Sequence, residues 1–260
     1  MRTLTFGVGA LVVLGVGVFA ITAQEARAGS LSDYLTLDPS NSNDFATMAD
    51  LLLGDPLGVI VGDKVFSDFS YSTLGDDMPD AQDVNVFGFQ DSDGNYGLSF
   101  HGAFIDLPGG GTSSAALGFT VEVDPTAQQQ GWKISDAHLF AGGMGVGDDS
   151  SLFIDESFAE NNQTLSVFAS TLGQDGQQLS DWVDFDQPYT SLRVTKNIIA
   201  SAGPNTFLPA RVSVIDQSFS QARANPAPEP TSLVLMTLAG LGLAALVRRG
   251  RRGVGFSGVR

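Results

Sequence analysis

The sequence predicts an all-β protein: an antiparallel β-sandwich of the jelly-roll type with one short helix near its N-terminal end. Segments of alternating apolar and polar residues recur through the middle of the chain, and the clearest runs from Leu117 to Val123. Turn sequences rich in Gly, Asp and Asn separate these segments, with no helical crossover between them. Alternation indicates a strand with one packed and one solvated face, and many such strands joined by tight turns predict a sandwich.

The predicted helix precedes the strands. It begins after a cap at Ser42 or Asn43 and ends at Gly54, which favours the left-handed conformation. Its apolar stripe is formed by Phe45, Met48, Ala49 and Leu52.

Two predicted strands change their alternation midway. The apolar positions shift after Val86 to Phe87 and Phe89, and a second shift lies between Trp132 and Leu139. A one-residue slip turns side chains to the other face of a sheet, so the sequence predicts β-bulges at both places.

The N-terminal 28 residues have the three parts of a secretory signal. Arg2 precedes an apolar run from Leu4 to Ile21, and Ala26 and Ala28 form the small-residue pattern of a signal-peptidase site. We expect signal peptidase to remove residues 1–28. The alternative is an uncleaved membrane helix, for which the apolar run is also long enough.

The C-terminal part predicts a membrane segment. Residues 232–247 form a stretch of 16 residues without a charge, near the lower limit of about 17–25 for a membrane-spanning helix. A buried core helix is the alternative, but the stretch shows no polar stripe beyond Thr237. The basic residues that follow favour retention of this end in the cytoplasm; they are Arg248, Arg249, Arg251 and Arg252.

Pro228, Glu229 and Pro230 stand in front of this segment. A Pro-Glu-Pro triplet, a short apolar helix and an arginine cluster, in this order, resemble the PEP-CTERM sorting signal of Gram-negative bacteria. The resemblance implies processing near the triplet by an exosortase, a membrane-embedded cysteine transpeptidase, and delivery to the cell exterior. It also implies association with exopolysaccharide or biofilm. Residues 253–260 extend beyond the arginines, where such tails usually stop.

The sequence therefore predicts five segments. They are a signal peptide (1–28), an extracytoplasmic β-sandwich domain (29–221), a Pro-rich linker with the triplet (222–231), a transmembrane helix (232–247) and a basic cytoplasmic tail (248–260). We expect the protein to be anchored in the inner membrane before processing, and then to be on the cell surface or outside the cell.

Charge and cysteine content restrict the chemistry of the exported part. Residues 29–227 carry six basic against 27 acidic side chains, which leaves a net charge of −21. Such a surface repels nucleic acid and anionic lipid, so neither is an expected partner. The chain has no cysteine, which excludes disulfides, thiolate metal sites and cysteine nucleophiles.

One oxygen-rich segment, 91–95, is a candidate calcium site. Asp91, Asp93 and Asn95 place oxygen atoms at alternate positions, as calcium loops do, but Tyr96 and Gly102 stand where an EF-hand has Gly and Glu. The alternative is an ordinary hairpin turn. A second acidic cluster comprises Asp148, Asp149, Asp155 and Glu156.

No catalytic residue is predicted. His101 and His138 are the only histidines, and no G-x-S-x-G elbow is present. The pair Asp184 and Asp186 is interpreted as solvated strand charge. Trp132 is predicted to lie in the core, whereas Trp182, flanked by aspartates, is more open to a binding role.

These observations favour a non-enzymatic surface or matrix protein that associates with exopolysaccharide. A calcium-assisted carbohydrate-binding module and a secreted hydrolase are the alternatives.

Overall fold

The computed structural model of the chain describes residues 31–172 and 176–223. This part folds into two packed, mostly antiparallel sheets, which confirms the predicted β-sandwich. The first sheet contains, in spatial order, β1 (Leu35–Thr36), β3 (Gly58–Val61), β4 (Lys64–Leu74), β7 (Thr112–Val123), β13 (Ser191–Ser201), β9 (Ser151–Phe158), β10 (Thr164–Ser170) and β11 (Gly176–Gln178).

The second sheet contains, in spatial order, β12 (Ser180–Tyr189), β8 (Trp132–Gly142), β14 (Ala210–Phe219), β6 (Tyr96–Asp106), β5 (Asn85–Gln90) and β2 (Phe45–Thr47). A short last strand, β15 (Gln221–Arg223), pairs with the start of β8. The sheet thus continues two residues into the segment that the sequence assigns to the linker.

The helix after β2 is shorter than predicted. It is α1 (Met48–Leu53), and Phe45 lies in a strand instead. Thr47 is the N-cap, because its hydroxyl accepts a hydrogen bond from the backbone N–H of Asp50 while the Asp50 carboxylate accepts one from that of Thr47. This capping box fixes the start of the helix at Met48. Gly54 ends it in the left-handed conformation, as predicted.

Three other short helical segments were not predicted. They are α2 (Pro125–Gln129) and two 3-10 turns, Leu31–Asp33 and Ala81–Asp83.

Aromatic residues from both sheets meet in the core. The ring centroid of Phe119 in β7 lies 5.9 Å from that of Phe66 in the same sheet. It lies 5.9 Å from Phe100 and 6.4 Å from Phe219, which both belong to the second sheet. The predicted alternation of β7 is confirmed, since its buried apolar side chains point to this layer. Contacts of this kind hold two sheets face to face.

One charged cluster is enclosed between the sheets. Lys196 in β13 donates to Glu156 of the neighbouring β9 and to the side-chain carbonyl of Gln217 in β14 of the second sheet. All three side chains are buried, and burial lowers the pKa of Lys196 well below its ordinary value. The second acidic cluster suggested by the sequence therefore cannot include Glu156, although Asp155 is exposed. Alternation along β9 turns Glu156 inward and Asp155 outward.

Only one of the two predicted bulges is present. The pairing of β12 with β8 shifts register between Asp184 and Tyr189, opposite the start of β8. By contrast, β5 pairs with β6 without a shift, so the bulge predicted near Phe87 is wrong. Val86 points into the core and Phe87 points out of the sheet in an ordinary strand.

No helix within residues 31–172 and 176–223 is long and apolar enough to cross a membrane. The predicted signal peptide with Ala26 and Ala28, the Pro-Glu-Pro triplet, the helix 232–247 and the four arginines lie outside the described residues.

Candidate functional site

The outer face of the second sheet carries two rows of side chains that cross its strands. Directly paired residues of antiparallel strands point to the same face, so the pairing register defines each row. The first row consists of Phe45, Phe87, Ser99, Asp216, Phe140 and Ser180. The second row consists of Phe89, Gly97, Ser218, His138 and Trp182. We call these two rows the aromatic trough.

The trough has bulky flanks and a floor of small polar residues. Phe140 and Trp182 are 45% and 62% exposed on one flank, and Phe45 is 44% exposed on the other. The two central strands, β6 and β14, contribute Gly97, Ser99, Ser218 and Asp216. Neighbouring strands are about 4.8 Å apart, so the flanks on β5 and β8 are separated by about 14 Å. The flanks therefore stand on either side of a floor that is two residues long on each central strand.

On one flank, three rings pack against one another at tilted angles. The ring centroids of Phe45 and Phe87 are 5.3 Å apart, and those of Phe87 and His101 are 4.5 Å apart. His101 lies two residues after Ser99 on β6 and therefore on the same outer face. The stack holds the rings in fixed positions.

The floor contains a polar network around Ser99. Its hydroxyl donates to Asp216 Oδ1 and lies 2.9 Å from His101 Nε2. Burial raises the pKa of Asp216, although the hydrogen bond from Ser99 and the charge of His101 oppose this. In a catalytic triad the histidine lies between the serine and the aspartate. Here the serine lies between the other two, so the arrangement differs from a triad.

The second histidine lacks a triad as well. His138 Nε2 lies 3.1 Å from Asp136 Oδ1, with no serine hydroxyl bonded to the ring among the described residues. Asp184 and Asp186 are exposed on β12, as interpreted from the sequence. The expected absence of catalytic residues stays a prediction.

The predicted calcium segment is the hairpin between β5 and β6, at one end of the trough. Asp91 Oδ1 accepts hydrogen bonds from the backbone N–H groups of Asp93 and Asn95, each at 2.9 Å. Its Oδ2 accepts from the Asn95 amide at 3.0 Å and from Ser218 Oγ at 2.7 Å. Burial alone would raise the pKa of Asp91, but these hydrogen bonds hold it below its ordinary value.

These contacts are those of the alternative interpretation, a hairpin turn. Within the described ranges, no group of three or more His, Asp or Glu side chains is arranged to hold a metal ion. A calcium site at Asp91, Asp93 and Asn95 stays a prediction.

A cleft of about 350 Å³ lies beside the same hairpin. It is lined by Asp63, Lys64, Gly94, Asn95, Tyr96, Ala127, Trp132 and Gln221. Trp132 was predicted to lie in the core, but it is only partly buried. It is the first residue of β8 and lies beyond Ile134, the first fully buried residue of that strand. The guanidinium of Arg223 lies 5.1 Å from the Trp132 ring centroid.

Lys64 brings a charge into this cleft. The residue is 1% exposed, and its ammonium donates to Asp63 Oδ1 at 2.9 Å. Burial lowers the pKa of Lys64, and the nearby carboxylates of Asp63, Asp136 and Asp91 partly offset this. Among the described residues, Asp63 is the only hydrogen-bond acceptor of this ammonium.

The sequence did not predict the roles of Lys64, Tyr96, Ser99 or Asp216. The signal for the trough was present in Phe87 and Phe89, which were interpreted as evidence of a bulge. Two outward aromatic residues at period two are also the pattern of a strand with a functional outer face.

The C-terminal sequence matches a known sorting signal. Residues 226–252 match the PEP-CTERM protein-sorting motif, so the chain carries the signal that its tail resembles. The chain is therefore an exported protein that an exosortase processes. No curated protein matches the chain in sequence.

Several solved structures match the chain at low similarity. TmCBM61 in complex with beta-1,4-galactotriose is 14% identical, with a TM-score of 0.28 over 59% of this chain and 88% of that chain. TmCBM27, a carbohydrate-binding module that recognises mannan, is 8% identical, with a TM-score of 0.30 over 63% and 100%. The enzymatically active domain of bacteriophage CBA120 tailspike protein 4 is 12% identical, with a TM-score of 0.23 over 61% and 20%. These values assign no site and no ligand to this chain.

Proposed function

We propose that this exported protein is a non-enzymatic surface or matrix protein that binds a neutral exopolysaccharide chain in the aromatic trough. The observation that supports it most directly is the order of side chains across the second sheet: aromatic, small polar, aromatic. Sugar rings offer C–H faces that pack on aromatic rings and hydroxyl groups that bond to His and Asp side chains. The trough presents both kinds of partner side by side.

The shape of the trough favours a chain rather than a small molecule. Its floor takes two residues from each of two strands, β6 and β14, which are 11 and 10 residues long, so the outer face of these strands continues beyond the two rows. The floor is flanked on both sides, so a bound polymer would lie along the strands. The net charge of −21 between residues 29 and 227 disfavours strongly anionic polymers, and this supports a neutral ligand.

Binding without turnover is part of the proposal. Hydrolysis of a glycoside requires an acid and a second carboxylate that are both free to act on the bond. In the trough, Asp216 accepts from Ser99, and Asp91 already accepts four hydrogen bonds from its own hairpin and Ser218. A polymer held in this way outside the cell would join the protein to a biofilm matrix.

Retention on immobilised neutral polysaccharides tests the proposal. The full chain is purified in a detergent without a sugar headgroup and applied to galactan, mannan and xylan. We expect Trp182→Ala combined with Phe140→Ala to lower the association constant at least tenfold, which corresponds to about 1.4 kcal/mol.

Phe168→Ala is the matched control. Phe168 stacks on Phe153 at 5.9 Å on the outer face of the first sheet, so this variant removes the same atoms as Phe140→Ala from the opposite side. Equal losses from the control and the trough variant would contradict the proposal. Release of reducing ends that stops in Asp216→Asn would contradict its non-enzymatic part.

A further inference from the structure

We propose that the cleft beside the 91–95 hairpin is a second binding site, which takes a single neutral sugar unit. It is separate from the trough, since none of its lining residues belongs to either row of the trough. Its support is independent as well: a buried ammonium with donors to spare, two aromatic side chains, and a balance of charges around one cavity.

The buried ammonium of Lys64 is the first argument. An ammonium has three N–H donors, and in the described part of the chain Lys64 gives one of them to Asp63. Removing a charged group from water is costly unless its donors are satisfied. A ligand hydroxyl in the cleft would accept a further hydrogen bond from Lys64. The position of Lys64 beside an open cavity is thus explained by a ligand that supplies acceptors.

The two aromatic side chains are the second argument. Trp132 and Tyr96 line the cleft from β8 and β6. Gly62, at φ 58, lies against the Tyr96 ring so closely that an added Cβ would be 2.4 Å from it. The glycine therefore lets the turn before β4 support this ring. Arg223 fixes the Trp132 ring in a similar way. Two held rings offer surfaces for the C–H face of a sugar.

The balance of charges decides which ligand fits. Asp63 lies within hydrogen-bonding distance of the ammonium, and the charges of Asp91 and Asp136 reach it as well, so an added anion would be repelled. An added cation would have to compete with the Lys64 ammonium for its nearest carboxylate, Asp63. The amides of Asn95 and Gln221 both donate and accept. Hydroxyl groups match this mixture, because each donates and accepts without a net charge.

The volume sets the size of the ligand. About 350 Å³ is near the lower end of the range of roughly 300–1,000 Å³ for small-molecule sites. The cleft therefore suits one sugar unit at the end of a chain, whereas the trough suits the interior of a chain. A domain with both sites would hold two chains and cross-link them. This consequence rests on the proposed function of the trough, but the cleft site does not.

Saturation-transfer NMR with methyl glycosides of galactose, mannose and glucose tests the cleft site. The full chain is used in a detergent without a sugar headgroup, and glucuronate and glucosamine are the charged comparisons. We expect at least one neutral glycoside to bind, and the charged sugars to bind at least fivefold more weakly. Absence of binding by all three glycosides, or tighter binding of either charged sugar, would overturn the proposal.

Substitutions locate the binding. We expect Trp132→Ala to lower the association constant at least tenfold and Lys64→Met at least fivefold. Lys133→Met is the matched control, since Lys133 neighbours Trp132 but does not line the cleft, and it should change nothing. If Trp132→Ala does not fold, Trp132→Phe keeps a smaller ring and should weaken binding two- to fivefold.

The proposals for the trough and for the cleft can be contradicted independently of each other. Trp182→Ala should leave monosaccharide binding unchanged while it weakens retention on polysaccharide. A loss of monosaccharide binding in Trp182→Ala would place the sugar in the trough and overturn the cleft site. Loss of polysaccharide retention alone bears on the proposed function and not on the cleft.

Discussion

Two lysines of the first sheet are both withdrawn from water, but they lie in different surroundings. Lys196 lies between the sheets, where Glu156 and Gln217 face it, and it is not among the residues that line the cleft. Lys64 lies at the edge, beside the cleft, and its partner Asp63 has a side chain that is 43% exposed. The first ammonium contacts only protein, whereas the second belongs to a residue that lines the cleft.

The difference teaches how to separate a structural charge from a functional one. Burial alone is the same for both lysines, and burial lowers the pKa of both. What differs is the partner: a buried carboxylate fixed between two sheets, or a half-exposed one beside a cavity. Removing the partner should therefore have unequal consequences.

The largest expected effect comes from removing the buried partner. Glu156→Gln should lower the free energy of unfolding by about 3–5 kcal/mol, because it leaves the Lys196 charge uncompensated in the core. Asp63→Asn makes the same chemical change at the edge. It should cost less than about 1 kcal/mol, because the Asp63 side chain is half-exposed and two other carboxylates act on Lys64. Urea denaturation of the full chain measures both.

Equal losses of stability in Glu156→Gln and Asp63→Asn would contradict the distinction between the two lysines. Lys196→Met together with Glu156→Met sharpens it, because removing both charges should recover part of the loss from Glu156→Gln. No recovery would mean that the loss came from altered packing and not from an unpaired charge.

The sequence predicted the sandwich because alternation is local. Leu117 to Val123 contain their own evidence for one packed face, and the structure confirms it. Pairing between distant strands has no such local signal. Lys196 and Glu156 are 40 residues apart, so nothing near either residue shows that they meet.

The trough was missed for the same reason. Its rows join Phe45 to Trp182 through the registers of six strands, and a one-residue slip in any of them would turn its side chains inward. The cleft is formed by the start of β8, the 91–95 hairpin and α2, which are separate in sequence. The sequence around Trp132 indicated an apolar residue on a strand, but not that this residue lies at the end of the strand. Trp182 was identified as open to a binding role because Asp181 and Asp184 lie close to it in sequence, which is a local signal.

Two aspartates at the trough, Asp216 and Asp91, should change the stability of the fold with pH in opposite directions. Burial raises the pKa of Asp216, so the unfolded chain ionises first as the pH rises above the ordinary value of 3.8. The folded state binds more protons in that window, and stability falls as the pH rises through it. Asp216→Asn should remove this fall and leave the variant relatively more stable at neutral pH.

Asp91 has the opposite sign. Its pKa lies below the ordinary value, so it contributes stability that is present above that value and lost as the pH falls through the folded pKa. Asp91→Asn should therefore lower stability at neutral pH and flatten the loss in acid. Urea unfolding from about pH 3 to 7 measures both slopes. If Asp216→Asn and Asp91→Asn changed the pH dependence of stability with the same sign, the hydrogen bonds of Asp91 would not distinguish it from Asp216.

The smallest effect is expected at a third cation, which lies on the surface. Arg223 is exposed, and its contact is the face of Trp132 at 5.1 Å. A cation over an aromatic ring at an exposed site contributes about 0.5–1 kcal/mol, so Arg223→Met should lower the free energy of unfolding by no more than that. Because the arginine also fixes the ring that lines the cleft, sugar affinity there should fall two- to threefold. Arg193→Met, at an exposed arginine of β13, is the matched control and should change neither quantity. A loss of stability in Arg223→Met as large as that in Glu156→Gln would mean that β15 is essential to the sandwich. It would contradict the expectation that the loss of stability becomes smaller from the core to the surface.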